Sequence, residues 1–337
     1  MLFDVRFLAK NCTSCAKQAD YGDIHAPRSC DVRKVQMSMK IEEAVREFLV
    51  ECEIRKYTPK TIRGYRTALG VFTKVLNDEL SVYDTDDISM TVVKKFTQVM
   101  GKRKHKGTYI NSLLKVSKSF ITYCYKEGLG CFNPSGRTFA WVKEDKAVIV
   151  AFKPKQVRLL LDNCKGNDFV DVRDMAIMTT FFETGIRCWE LCCIRPEHIH
   201  EDYILITDGK NHKQRVVPIS APLKKAIIRY SRARENYFAY KNTENYFFLS
   251  FHGRQLTNSG VEHIFKKRGK GVTGVRCSPH TCRHTWAQMQ IRMGTDLYTV
   301  SRLLGHENIR ITQTYLESLR DEDIIKMSKN SSVLMNM

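Results

Sequence analysis

Residues 278–318 read SPHTCRHTWAQMQIRMGTDLYTVSRLLGHENIRITQTYLES. The stretch offers His280, Arg283 three residues later, His306 behind a glycine, and Tyr315 nine residues beyond that. Its apolar residues recur with helical period. A spacing of three sets His280 and Arg283 about 60° apart on a helix, close enough to enter one cleft. Taken singly, each is as well explained as a surface or half-buried side chain. Whether they form one site depends on the rest of the chain.

Upstream, Thr184-Gly185-Ile186-Arg187 interrupts a helical pattern, and Gly185 suits a backbone turn that most residues resist. Glu190 follows Arg187 by three. Two short β-rich runs, 203–207 and 215–219, flank Asp208-Gly209-Lys210-Asn211-His212-Lys213, which reads as a hairpin. Helical periods cover 154–163, 168–183, 221–240 and 257–268. Residues 153–325 are therefore expected to form a mixed α+β domain with a small antiparallel sheet, followed by a tail over 326–337.

The amino-terminal half is read as all-helical. Ile41, Ala44, Val45, Phe48, Leu49 and Cys52 make one apolar stripe. Thr58-Pro59 is a hydroxyl cap followed by proline at the first helical position, and Ile62, Tyr65, Leu69, Phe72 and Leu76 point inward. Further helices are expected over 89–100 and 108–127. In the last, Ile110, Leu113, Leu114, Val116, Phe120, Ile121 and Tyr125 are the apolar positions and Gly128 the terminator. This four-helix domain spans 39–134, and 135–152 is read as a linker. The basic run Lys102, Arg103, Lys104, His105, Lys106 precedes a helix N-terminus, so contact with a phosphate backbone and a plain solvated loop are its two readings. The fold expected overall is mainly α.

Lys and Arg number 55 against 36 Asp and Glu, a formal charge of +19. The excess is shared: 39–150 holds 20 basic and 13 acidic residues, 151–325 holds 27 and 19. A polyanion, nucleic acid first, is the partner such a balance suits. No apolar run approaches the roughly 20 residues of a membrane span, and Asp4 and Arg6 break any signal-peptide core. A cytoplasmic protein is expected, with its twelve cysteines as buried free thiols. Residues 1–38 are an extension of unknown role. Cys12, Cys15, His25 and Cys30 could ligate zinc, but their spacing is irregular. No metal-carboxylate motif, Walker A loop or dinucleotide fingerprint is present, so no cofactor is expected.

Arg187, Lys210, His280, Arg283, His306 and Tyr315 suit one reaction, the in-line opening of a phosphodiester by a protein nucleophile. Arginines match the non-bridging oxygens. Tyr315 supplies the nucleophile, its phenol pKa expected to be lowered by the adjacent cations. A histidine can take the phenol proton or hydrogen-bond the phosphate.

At this point a resemblance is apparent. Thr184-Gly185-Ile186-Arg187-x-x-Glu190-Leu191, Gly209-Lys210-x-x-Lys213-x-Arg215-Val216-Val217-Pro218, Pro279-His280-x-x-Arg283-His284-Thr285, Leu303-Leu304-Gly305-His306 and Thr312-x-x-Tyr315 resemble the motifs of the tyrosine recombinases, the phage integrase family. The four-helix domain is similar to that family's core-binding domain. The resemblance implies a site-specific recombinase or integrase of a phage or mobile element, working without metal or ATP through a 3′-phosphotyrosyl intermediate. It implies Arg187 and Arg283 as phosphate clamps, Lys210 (rather than Lys213) as general acid, His280 as acid/base, His306 as phosphate donor, Tyr315 as nucleophile and Glu190 as support for Arg187. It further implies double-stranded DNA as partner, a homotetramer on two duplexes, an accessory directionality factor and a nucleoid-associated location. The alternatives are a relative that binds DNA without cutting, a chromosome-maintenance recombinase and a type IB topoisomerase.

Overall fold

The computed structural model describes residues 38–134, 139–144, 150–207 and 214–317, together with Leu319 and Ile325. The chain divides into two compact units, residues 1–146 and 147–337. Residues 1–37, with Cys12, Cys15, His25 and Cys30, lie outside the described residues, as do Lys210 and Lys213.

In the first unit, α1 (Ile41–Ile54), α2 (Pro59–Leu80), α3 (Met90–Lys102) and α4 (Gly107–Glu127) form a bundle. Their starts are written in hydroxyl side chains: Thr58 Oγ1 accepts from the Thr61 amide at 3.2 Å and Ser89 Oγ from the Val92 amide at 3.4 Å, each satisfying a donor the helix cannot. Phe48, Leu69, Phe72, Leu76, Phe96 and Phe120 fill the core. Tyr125, expected inward, is 47% exposed. Cys124 takes the buried position on α4 instead, because the stripe drifts by one residue over five turns of a 3.6-residue period. Part of the segment read as a linker is also packed. Phe139, Ala140 and Val142 lie on the bundle, and the Asn111 carboxamide closes on Val142 from both sides. It accepts from the Val142 amide at 2.9 Å and donates to its carbonyl at 2.8 Å.

The second unit is built around α6 (Phe169–Thr184), which is buried on most of its circumference. Around it lie α5 (Pro154–Asp162), α7 (Cys188–Cys192), α8 (Ala221–Phe238), α9 (Asn258–Arg268), α10 (Pro279–Arg292), α11 (Leu297–Leu304) and α12 (Ile309–Leu316). β1 (Tyr203–Ile206) and β2 (Arg215–Pro218) pair antiparallel, Tyr203 opposite Pro218 and Ile206 opposite Arg215. α6 buries Arg173 and Asp174 along with its apolar residues, so its sequence shows no one-sided apolar stripe. Around α7, Trp189 is 51% exposed while Leu191, Cys192 and Ile194 are buried. The helix there is only five residues long, too short to hold four residues on one face. Arg268 bridges Asp171 and Asp174 on α6 at 2.7–2.8 Å, tying α9 to the central helix. A smaller core of Trp286, Ala287, Ile291, Val300, Leu304 and Tyr315 joins α10, α11 and α12.

Candidate active site

The site begins where α6 stops. Gly185 takes φ +61°, and a Cβ there would stand 2.8 Å from the Trp286 ring. The chain reverses and starts α7 with Arg187 at the cap. Glu190, three residues on, reaches back to the Arg187 amide at 2.7 Å and to the Arg187 guanidinium at 2.8 Å. The second partner comes from β2. Arg215 meets the same carboxylate in a two-pronged pair at 2.8 and 2.7 Å. Burial alone would raise the Glu190 carboxyl. Arg215, and after it the Arg187 amide and charge, outweigh that and hold it at about 2. The carboxylate is thus ionised and fixed, and it aims two guanidiniums.

Three arginines then converge on the last carbonyls of α11. Arg215 donates to Leu303 O at 2.8 Å, Arg283 to Leu304 O at 2.7 Å, and Arg187 to Gly305 O at 2.8 Å. Arg283 also donates to Gly185 O at 2.8 Å. A helix C-terminus leaves such carbonyls without partners and carries partial negative charge, so cations settle there. Arg283 is 4% exposed. Burial, then the nearby Arg187, draw its guanidinium down to about 10, with Glu190 opposing, so it stays cationic at neutral pH.

Tyr315, on α12, is 2% exposed. Its hydroxyl lies 3.0 Å from Nδ1 of His284. The cations were expected to lower this phenol's pKa. It is raised, because burial disfavours phenolate more than Arg283 and Arg187 favour it. His306 stacks parallel to the Tyr315 ring at 6.4 Å, and its Nδ1 pairs with Thr312 Oγ1 at 2.8 Å. Burial, then Arg283, Arg187 and Arg215, hold His306 neutral down to about pH 3. His280 is exposed, with its ring 4.0 Å from that of His284. Partial burial and Arg283 lower its pKa.

Arg187, His280, Arg283, His284, His306 and Tyr315 line one cavity of about 590 Å³. Five of the six residues singled out in the sequence therefore meet, with Lys210 outside the described residues. Lys102, Arg103, Lys104 and Lys106 belong to the first unit, exposed at the turn between α3 and α4, with Arg103 paired to Glu79. Sequence reasoning passed over Arg215 and His284. Both stand inside the quoted motifs, and their partners lie on other elements. A cavity with two anchored guanidiniums, neutral imidazoles and a phenol can hold a diester anion beside an oxygen nucleophile. Among the described residues no group of three His, Cys, Asp or Glu is placed to hold a metal ion, and no helix is long and apolar enough to cross a membrane.

Residues 151–322 match the sequence profile of the phage integrase family. The tyrosine recombinase XerC of Anoxybacillus flavithermus is 30% identical over 281 residues, covering 81% of this chain and 92% of the relative. XerD of Chlamydia pneumoniae is 29% identical, covering 79% and 88%. Among solved structures, the Tn1549 transposon integrase in complex with transposon right end DNA aligns with TM-score 0.69 at 16% identity, over 87% of this chain and 99% of that one. A lambda integrase dimer bound to a COC′ core site aligns with TM-score 0.64 at 13% identity, over 84% and 79%.

Proposed function

This chain belongs to the phage integrase family of tyrosine recombinases, and from that premise we propose that it cuts and rejoins double-stranded DNA at specific sites through Tyr315. Arg187 and Arg283 clamp the non-bridging oxygens of the scissile phosphate. The Tyr315 oxygen attacks phosphorus in line, a P–O bond to tyrosine forms, and the P–O5′ bond breaks. Its electron pair leaves on O5′, which Lys210 protonates. His306 donates a hydrogen bond to the phosphate, and His280, at the cavity mouth, serves it in acid/base exchange. The 5′-hydroxyl of a partner duplex then attacks the 3′-phosphotyrosine, so the bond energy is conserved and no ATP or metal is consumed.

One observation carries this reading: the Tyr315 hydroxyl shares a cavity with two guanidiniums that helix-terminal carbonyls hold in place. Exposed Lys102, Lys104 and Lys106, with Arg103, are proposed to contact the phosphate backbone. Four protomers on two duplexes form the working assembly, in the cytoplasm on the nucleoid. A directionality factor is the further partner proposed. Integration and excision of a mobile element is the biological setting proposed first. The XerC and XerD relatives, matched over about nine-tenths of their length, support chromosome maintenance as the second setting. DNA flanking the gene separates the two. Attachment-site repeats bounding a cluster of element genes mark the first, and a lone chromosomal locus marks the second.

The test of the chemistry is Tyr315→Phe on a nicked suicide substrate. The variant is expected to bind the site with unchanged affinity and to form no covalent adduct. An adduct that survives denaturation in that variant removes Tyr315 as the nucleophile.

A further inference from the structure

The geometry points to His284, rather than His280 or His306, as the group that takes the proton from Tyr315 when its oxygen attacks phosphorus. The inference rests on Tyr315 being the nucleophile. The Arg283 guanidinium is held by the Gly185 and Leu304 carbonyls, and as a neighbouring cation it favours the ionised form of the Tyr315 phenol. A cation cannot take the proton that the phenol must lose. Nδ1 of His284 lies 3.0 Å from the phenol oxygen, within the range in which a general base removes a proton.

The other two imidazoles are placed for different work. Nδ1 of His306 is engaged by Thr312, and its ring lies parallel to the phenol with centroids 6.4 Å apart. His280 sits one ring further out, against His284 rather than against the phenol.

To accept a proton, His284 must be neutral beforehand. The charged and titratable groups around it are His280 and Arg283 on its own helix, Tyr315 on α12, His306 in the turn before α12, and Arg187, Cys188, Glu262 and Arg276 around the cavity. Burial, then His280 and Arg283, keep its ring unprotonated down to about pH 4. Burial raises the phenol against the pull of Arg283 and Arg187, so a base adjacent to it has a task that water would perform poorly. The step balances: the O–H bond of Tyr315 breaks and its proton goes to Nδ1, the oxygen's electron pair forms the P–O bond, and the P–O5′ electrons leave with the 5′ oxygen, protonated by Lys210. In the reverse step the imidazolium returns the proton to Tyr315 as it departs.

Adduct formation on the nicked suicide substrate, measured in single turnover at saturating protein from pH 5 to 9, tests this in wild type, His284→Ala and His284→Asn. Wild type is expected to be flat above pH 6. His284→Ala should be at least about 100-fold slower at pH 7 and should recover as pH rises, since ionisation of the phenol replaces the base. Asparagine can accept the same hydrogen bond but cannot carry the proton, so His284→Asn should stay slow. A 5′-bridging phosphorothiolate, whose sulfur leaves without a proton, should rescue Lys210→Ala and not His284→Ala. Wild-type rates in His284→Ala overturn the proposal. So does full activity in His284→Asn, which would make the residue a positioning group, and so does phosphorothiolate rescue of His284→Ala, which would place it at the leaving group. An adduct in Tyr315→Phe, by contrast, overturns the underlying reading of the nucleophile.

Discussion

At Glu190 a single carboxylate orders the site. It is 2% exposed, and burying an anion is costly unless it is paired and fully hydrogen-bonded. Here it accepts from Arg187 twice and from Arg215 twice. Glu190→Gln keeps the shape and removes the charge, leaving Arg215, its side chain 11% exposed, next to Arg187 without a counter-ion. Breaking a buried pair from one side typically costs about 3–5 kcal/mol. Urea unfolding should show a loss of that order, with slower adduct formation because Arg187 is no longer aimed. The pH dependence has a definite sign. The folded pKa of Glu190, about 2, lies below its ordinary 4.5, so its stabilisation is present above pH 4.5 and is lost as pH falls towards 2. His306, lowered from 6.5 to about 3, favours the unfolded chain as soon as acid can charge it there. Its contribution is full above pH 6.5 and drains away below. Melting temperature should therefore fall in two stages on acidification, one from about pH 6.5 and one from about pH 4.5. Glu190→Gln should lose the second stage only, which differential scanning calorimetry reads directly. The sequence showed that Glu190 follows Arg187 by three, which is enough to predict a link between them. That the same carboxylate is shared with Arg215 is a contact between α7 and β2, and no local spacing encodes it. The phenol of Tyr315 shows the same limit from the other side. Neighbouring cations were legible in the motifs, while the burial that outweighs them depends on how α12 packs.

At the level of elements, helix ends do the anchoring. The final carbonyls of α11 and the Gly185 carbonyl after α6 receive Arg215, Arg283 and Arg187, so two motifs 120 residues apart are halves of one device. Each helix ends in a left-handed glycine, Gly185 at φ +61° and Gly305 at φ +65°. The need for glycine was readable at 184–187, since a residue that must reverse a helix has few alternatives. What the sequence could not disclose is why the tolerance at Gly185 is so small. A Cβ there meets ring carbons of Trp286 at 2.8 and 2.9 Å, and Trp286 is itself held by a bond from its indole nitrogen to Glu183 O at 2.9 Å. Gly185→Ala therefore adds left-handed strain to a clash with a fixed ring. A loss of about 1–3 kcal/mol in stability is expected, measured by chemical denaturation. Because the displaced carbonyl is an anchor of Arg283, adduct formation should slow by more than Ala at an ordinary turn glycine would cause. Gly274, also at positive φ, has nothing within 4 Å of its would-be Cβ. Gly274→Ala is the control that carries the backbone strain without the ring contact and leaves Arg283 in place.

At the scale of the whole molecule, two basic units are proposed to act on one duplex through the chain that joins them. The four helices of the first unit and most elements of the second were legible because caps, periods and terminators are local signals. The segment after Pro134 was not, since its glycine and charges mask a short stretch that packs by tertiary contact. Phe139 is 4% exposed, and Asn111 holds Val142 by two bonds and the Glu144 carboxylate by a third at 2.7 Å. Gly107 lets this segment approach, since a Cβ there would stand 3.0 Å from Lys143 O. Anchoring at 139–144 shortens the length of sequence between the last packed residue of the first unit and α5 from about 19 residues, counted from Pro134, to about 9, counted from Glu144. Two modules that grip adjoining parts of one ligand gain from a short tether through their effective concentration, which falls roughly as the −3/2 power of length. Asn111→Leu keeps the volume of the side chain and removes its three bonds. It should release the strap and weaken binding to a full core site by about threefold, measured by titration of labelled duplex. No phosphate contact is lost, so the slope of log affinity against log salt should match that of wild type. Adduct formation at saturating protein should also be unchanged, because the cavity in the second unit is untouched. Limited proteolysis should show new cleavage between Phe139 and Glu144, the direct sign that the strap has left the bundle. If affinity falls threefold with no new cleavage there, the loss has another origin and the tether is not what Asn111 controls.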